Sequence, residues 1–475
     1  MLEGPQAAVS ADPAPEAVLA MLSDIAMTAA ESGQRPSAGL VRIVPDLIGV
    51  ALAGSLTASA RTMAALAPAL AAPAEGARLW GLGRRVATRD AVLGNAFAAH
   101  VLDFDDDETE LAMAHLSVTL VSAALTLADA MPGPVSGRRL FGAVAAGYAV
   151  ALALGEMVNP GMYRAGWHAT ATLGSFASAA ACGTLLQLDA DCMARALCLA
   201  ASLSGGVRGA FGGEGKPLQV GQAAASGLMA AQLAQAGFNA PAATLAGPRG
   251  FLGLHRGKVM AAIQPIPLPP PGFVVKAYPT CTAIHAAIAA VLEAASSLPA
   301  GAQIERIDCS VDPFVPAILL GGIPRSPDEA RFNMAYCLAR AAHDGQLGPD
   351  AFRPEALDDP DIVALMARVH VHEASDLPKG PSGVATGARI RIQADGREVR
   401  ASRLAAPGSA AAPLSDAALL AKFCLCLEPF CAPDAAGQHF SNLLGLAEAE
   451  DIIRILDPLF DLAARPPQIV PETPS

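Results

Sequence analysis

The sequence predicts a mainly helical protein, with a large all-helical domain built from both ends of the chain and a smaller α/β domain inserted between them. Three observations carry this reading. Of the 475 residues 53% are hydrophobic but only 4% aromatic, so alanine, leucine and glycine supply most of the apolar surface; small side chains let helices approach closely, and alanine has the best helix propensity. From about residue 15 to 260 one helix-like stretch follows another. Strand-like alternation appears only after residue 300. At this length two domains are expected.

In chain order, the first helical region is broken at Pro73, Pro132–Pro134, Asn159–Gly161 and Gly212–Gly215, where glycine, proline or polar residues punctuate the pattern. Its most apolar stretch, LFGAVAAGYAVALAL at 140–154, falls short of the roughly 20 residues that a bilayer span needs, so it is read as a buried core helix. Five prolines between 263 and 276 form a stiff connector, because proline removes a donor and disfavours helix. A helix at about 283–297 comes next. Candidate strands lie at 304–311, 369–373 and 388–404, the last with Asp395-Gly396 as a hairpin turn, and helices are expected at about 327–343 and 360–368. Helices at 416–430 and 436–464, the first capped by Ser415 or Asp416, return the chain to the first domain. The boundaries are 1–265 with 405–475 for the helical domain and 266–404 for the α/β domain.

The net charge of −12 and pI near 5.2 disfavour nucleic acid and anionic membranes as partners. An anionic ligand then needs a local cluster of cations. Lysines are few: Lys216, Lys258, Lys276, Lys379 and Lys422. Nine dispersed cysteines point to a reducing compartment, and the group Cys424, Cys426 and Cys431 reads as structural thiols in an apolar helix. The N-terminus carries acids and prolines where a signal peptide has a basic and then an apolar region. A cytoplasmic location is expected.

Four segments hold the chemistry. HVLDFDDDETELAMAHLS (100–117) places six carboxylates between Asp103 and Glu110; on a helix His100, Asp103 and Asp107 share a face. Such a run is usually a solvated helix end, but it interrupts an apolar region and His115 follows closely. A magnesium site of the isoprenoid-synthase kind is the competing reading, weakened by only four tyrosines and two tryptophans to line a terpene pocket,. In GMYRAGWHATATLG, His168 stands just before a small-residue helix, whose N-terminus can hold an anion. RGAFGGEGKPLQV superficially suggests a phosphate loop, but Ala210 and Pro217 stand where glycine and Ser/Thr are required; what remains is a glycine turn presenting Lys216 at a helix start, flanked by Arg208. In KAYPTCTAIHAAI, Lys276 ends the proline connector, with Cys281 and His285 opening the next helix, a suitable place for a cleft that closes over a ligand.

Together these stretches resemble the MmgE/PrpD family, which contains 2-methylcitrate dehydratases and cis-aconitate decarboxylases. The likeness runs in order from RLWGLGRRVATRDAVLGNAFAAHVLDFDD through AHLS, YRAGWHATATLGSFASAAA, GKPLQVGQAAASGLMAAQLAQAGFNAP, LAGPRGFLG and KAYPTCTAIHAAI to ARFNMAYCLARAAHDGQLG and PLSDAALLAKF, about 78 to 425. The resemblance implies that the α/β domain acts as a lid, that the protein is a homodimer, and that catalysis uses no metal and no cofactor. It places functional roles on Asp103, His115, His168, Lys216, Lys276 and His285; joined to the segments read above, the expected catalytic set is Asp103, His115, His168, Lys216 and Lys276, and the expected substrate contacts are Asp107, Arg208, Cys281 and His285. The implied reaction is loss of water from a hydroxylated di- or tricarboxylate, with decarboxylation and iminodisuccinate-type epimerisation as alternatives on the same scaffold and a non-catalytic dimeric binding protein as a further one. The family typically reads DFDDT, HPS and FHPT where this chain has DFDDD, HLS and WHAT. Leu116 and Ala169 stand in place of prolines. Asp107 in place of threonine either points away, is protonated or paired with a cation, or marks a less anionic substrate.

Overall fold

The computed structural model describes residues 13–68, 76–260 and 262–462. Helices at Pro15–Gly33, Ala38–Ser55, Thr88–His100, Ser117–Ala130, Gly137–Val158, Ala169–Leu185, Ala190–Leu203 and Gly215–Gln235 pack around one apolar core. Several start on side-chain caps: Ser37, Ser136 and Asp189 each accept a hydrogen bond from the backbone N–H three residues on, satisfying a donor that the helix itself leaves open. Small residues set the spacing. A Cβ added at Gly227 would lie 2.4 Å from the Ser178 Cβ, so Gly215–Gln235 sits on Ala169–Leu185 with no side chain between. From the other end of the chain, Asp416–Leu427 returns to Ala38–Ser55, with the Phe423 ring against Gly49.

A second apolar core gathers residues from Ile284 to Ile392. It lies between the helices His285–Ser296 and Met334–Asp344 and a four-stranded sheet, in the order 369–373, 304–311, 388–394, 397–403. The first pair is parallel and the others are antiparallel. Along Ala388–Ala394 every second residue is buried, the signature of a sheet with one face covered. Asp395 and Gly396 close the hairpin with φ of +47° and +71°, the left-handed pair that a two-residue turn requires. The mainly helical class is therefore as expected.

Several expectations need correction. The apolar stretch at 140–154 is the middle of a 22-residue helix, Gly137–Val158, long enough to cross a membrane; Ala38–Ser55 also is, but the two are 89% and 78% buried inside the protein. A small hairpin, Ala77–Leu79 with Arg84–Val86, interrupts a region read as helix throughout. The stretch 436–464 is two helices, Pro433–Leu444 and Ile453–Phe460, broken at Gly445 where the chain tightens into a short 3-10 turn; residues 463 and 464 lie outside the described residues, as does Pro73. Ser415, not Asp416, caps the helix at 416. Cys426 and Cys431 are buried and Cys424 half-buried.

Candidate active site

The acidic run is not a helix. Thr88–His100 ends at His100, and Asp103 turns the chain with φ of +50°, a left-handed conformation that aspartate tolerates better than most residues. Asp107 and Glu108 then form a two-residue strand paired with Phe273–Val274 at the end of the proline connector. Nor is the run solvated: Asp103, Asp105, Asp106 and Glu108 are all buried. Burying so many carboxylates requires compensation at each one.

Asp103 is compensated by lysine. Its Oδ1 accepts from Lys216 Nζ at 2.9 Å and from Lys276 Nζ at 2.8 Å, and Lys276 also donates to the Asp103 backbone carbonyl at 3.0 Å. Burial alone raises its pKa, but the two ammonium groups outweigh burial and hold the carboxyl well below the usual carboxylate range. Asp105 sits between two histidines, 2.9 Å from His100 Nδ1 and 3.0 Å from His115 Nδ1; burial raises its pKa, but the two imidazoles at hydrogen-bond distance outweigh burial and hold it below the usual carboxylate range. Asp106 accepts from the Ser117 hydroxyl and Glu108 from the backbone N–H groups of Glu110, Leu111 and Ala112. Burial nonetheless pushes Glu108 up to about 7.

The two site histidines have defined orientations. His115 Nδ1 faces the Asp105 carboxylate and the Asp106 carbonyl, both acceptors, so that nitrogen carries the proton, an assignment made from the hydrogen-bond network. Its Nε2 lies 4.0 Å from Asp103 Oδ1 and 3.9 Å from Asp107 Oδ1. His168, the residue immediately before Ala169–Leu185, directs Nδ1 to the Gln219 side-chain oxygen at 2.8 Å, which leaves Nε2 unprotonated and without a hydrogen-bond partner. Burial, then the Lys216 charge, pushes His168 well below its ordinary pKa.

These groups line a cavity between the two cores. Asp103, Asp107, Glu108, His115, His168 and Lys216 form the polar wall. Phe211, Phe314, Val315, Ile318 and Phe332 form an apolar one, with Cys281, Thr282 and the segment 382–386 closing the rim. Two contacts tie the halves together at this rim: Thr282 Oγ1 donates to Asp107 Oδ2 at 2.7 Å, and the Ser382 N–H donates to Glu110 at 2.7 Å. Asp107 therefore does not point away from the cavity, and its neighbour is a threonine hydroxyl where a cation was one of the options.

Of the residues predicted for the site, Asp103, His115, His168, Lys216, Asp107 and Cys281 meet at the cavity, and Lys276 lies fully buried beneath Asp103. Two do not meet there. Arg208 lies 4.4 Å over the Tyr163 ring and donates to the Tyr163 carbonyl. His285 is enclosed in the second core, 3.3 Å from the Thr280 carbonyl and stacked edge-on against Tyr278. Asp105 and His100 were not singled out as site residues, although DFDD does place two more carboxylates beside Asp103. The ligand atoms of His100, Asp103, Asp105 and His115 lie within 4.8 Å of one another, as a metal site requires. The Asp103 Oδ1 already holds two ammonium groups, however, at 2.9 and 2.8 Å, and a divalent ion bound to it would be repelled by both,.

A buried set of carboxylates, lysines and imidazoles lining a cavity is an arrangement that can transfer protons and hold an anion. Comparison with known proteins gives the family. Residues 35–262 match the MmgE/PrpD N-terminal domain and residues 278–442 the MmgE/PrpD C-terminal domain, and the chain belongs to the MmgE/PrpD family. It is 30% identical to the cis-aconitate decarboxylase of Aspergillus terreus over 172 residues, 35% of each chain. It is 27% identical to the human cis-aconitate decarboxylase over 305 residues, 60% of this chain and 62% of that one. The matches thus span less than two thirds of these relatives' length.

Proposed function

We propose that the protein is a lyase that removes water from a hydroxylated di- or tricarboxylate by acid/base catalysis, with no metal and no cofactor. The observation that carries this is the pair of imidazoles with opposite surroundings on one cavity wall. His168, kept neutral with a bare Nε2, accepts a proton from the carbon next to a substrate carboxylate. The C–H electrons become the new C=C bond, the C–O bond breaks, and the hydroxyl leaves as water with the Nε2 proton of His115 in its imidazolium form, which Asp105 and Asp107 flank; the proton taken by His168 goes to solvent, from which His115 is reprotonated. Environments that differ in this way are how one site holds a base and an acid at the same pH. Lys216 holds a substrate carboxylate, and the α/β segment 266–404 serves as the lid.

Decarboxylation is the second reading, favoured by what the named relatives do and by the apolar wall of Phe211, Phe314, Ile318 and Phe332, against which a substrate carboxylate loses its hydration. Both readings share the proton transfer. The deciding experiment is incubation with methylcitrate, citrate, cis-aconitate and iminodisuccinate in D₂O, followed by NMR. An alkene product from methylcitrate or citrate is expected. Carbon dioxide release from cis-aconitate would establish the second reading, α-deuteration alone would make the protein an epimerase, and inertness toward all four would overturn the proposal.

A further inference from the structure

Three of the chain's five lysines converge on one turn. Lys216 and Lys276 reach the Asp103 carboxylate. The third, Lys422, comes from the opposite side on the returning helix Asp416–Leu427 and donates to the Phe104 carbonyl at 2.7 Å. It is buried, lies 4.2 Å over the Phe104 ring, and makes an ion pair at 2.6 Å with Asp46, which is buried on Ala38–Ser55. Successive carbonyls of the left-handed turn, those of Asp103 and Phe104, are thus each held by a buried ammonium group.

We propose that Lys422, with Asp46 as its counter-charge, is a positioning residue for the reaction centre, one that fixes the turn carrying Asp103 and Asp105. Asp103 must stay in a left-handed conformation that disfavours residues with a side chain,, while presenting one carboxylate oxygen to two lysines. Lys216 and Lys276 hold the Asp103 carboxylate, and Lys276 also holds the Asp103 carbonyl. Lys422 holds the far side of the turn and, through Phe104, sets where the Asp105 carboxylate meets His115. An ion pair kept only for stability has another signature: replacing both buried partners by apolar residues of similar size is often neutral for stability and would be neutral for turnover too.

The proposal rests on the acid/base reading above, and the test separates the two. The double variant K422M/D46L removes both charges, and D46N leaves the lysine-to-carbonyl bond in place. With K422M/D46L the expectation is a melting temperature close to wild type, kcat lowered about tenfold to a hundredfold at unchanged KM, and faster amide hydrogen exchange over residues 101–107. With D46N it is a lower melting temperature, with kcat within about twofold of wild type and wild-type exchange in that segment. Wild-type kcat and exchange in the double variant overturn the proposal, as does a loss of kcat in D46N equal to that of the double variant. If wild-type protein turns over no polycarboxylate the functional reading fails, and the exchange comparison alone decides the role of Lys422.

Discussion

Arg78 and Asp103 are the hubs of two buried charge clusters in the same helical body, and they differ in what they leave unspent. Arg78 gives Nε and Nη2 to Asp129, Nη2 also to Asp457 and Nη1 to Asp461, while its backbone N–H donates to Asp129 as well. Arg85 adds a further contact to Asp129 at 3.0 Å. That cluster joins the small hairpin to the end of the chain and opens on no cavity wall. Around Asp103 the pairing is just as dense on one side, but Asp103 Oδ2 and His168 Nε2 have no partner, and Lys216, His115 and Asp107 face the cavity. Burial and ion pairing are common to both clusters. What separates a reaction centre from a structural clamp is that its polar atoms are positioned more fully than they are satisfied.

Three changes test that contrast, the largest first. H115A is expected to lower kcat by about 10²–10⁴, the usual contribution of a positioned proton-transfer group, and to change the melting temperature little, because His100 still pairs with Asp105; turnover and thermal unfolding measured on one sample check it. R78M is expected to do the reverse. It takes the guanidinium away from the buried Asp129 carboxylate and leaves it only Arg85 and the backbone N–H of residue 78, a loss of about 1–3 kcal/mol in denaturant unfolding, with kcat per folded molecule unchanged. A comparable fall in kcat would mean that the two clusters are coupled. The smallest effect is on pH dependence. Burial, against the pull of Asp105, lowers His100 from 6.5 to about 4, so between these values the unfolded chain binds a proton that the folded one does not. Stability from this group is therefore full above pH 6.5 and falls toward pH 4, by at most about 1.4 kcal/mol per unit. H100Q is expected to flatten that part of the stability curve and R78M to leave its slope in place; an unchanged slope in H100Q would show that His100 is already charged when folded.

The helical class was legible in composition and spacing, as were the sheet strands and the Asp395-Gly396 turn, because each depends on local pattern. Lys216, His115 and His168 were legible through their motifs. The turn at Asp103 was not: the spacing of His100, Asp103 and Asp107 fits a helix face equally well, and the lysines that meet the left-handed bend come from 216, 276 and 422, far apart in sequence. Asp46 and Lys422 escaped for the same reason. Each sits at an unremarkable position in an apolar helix, and no spacing relates residues 46, 104 and 422. Arg208 and His285 show the converse error. Both stand in sequence beside residues that line the cavity, yet one is drawn onto the Tyr163 ring and the other into the second core. The break at Gly445 was passed over because the apolar pattern resumes beyond it.

The packing of Asp416–Leu427 on Ala38–Ser55 also matters for how the chain is made. A segment apolar enough to pass for a membrane span, Ala38–Ser55, is made long before the helix Asp416–Leu427 that covers part of it. At roughly 5–20 residues per second this interval lasts tens of seconds, during which the newborn N-terminal half displays a greasy face that its own sequence has not yet supplied the means to cover. Shielding by a chaperone over that period, and loss of yield when the last 60 or so residues are removed, on the order of one small helical subdomain, belong to the same cause. The helices that cover this segment are thus made long after it.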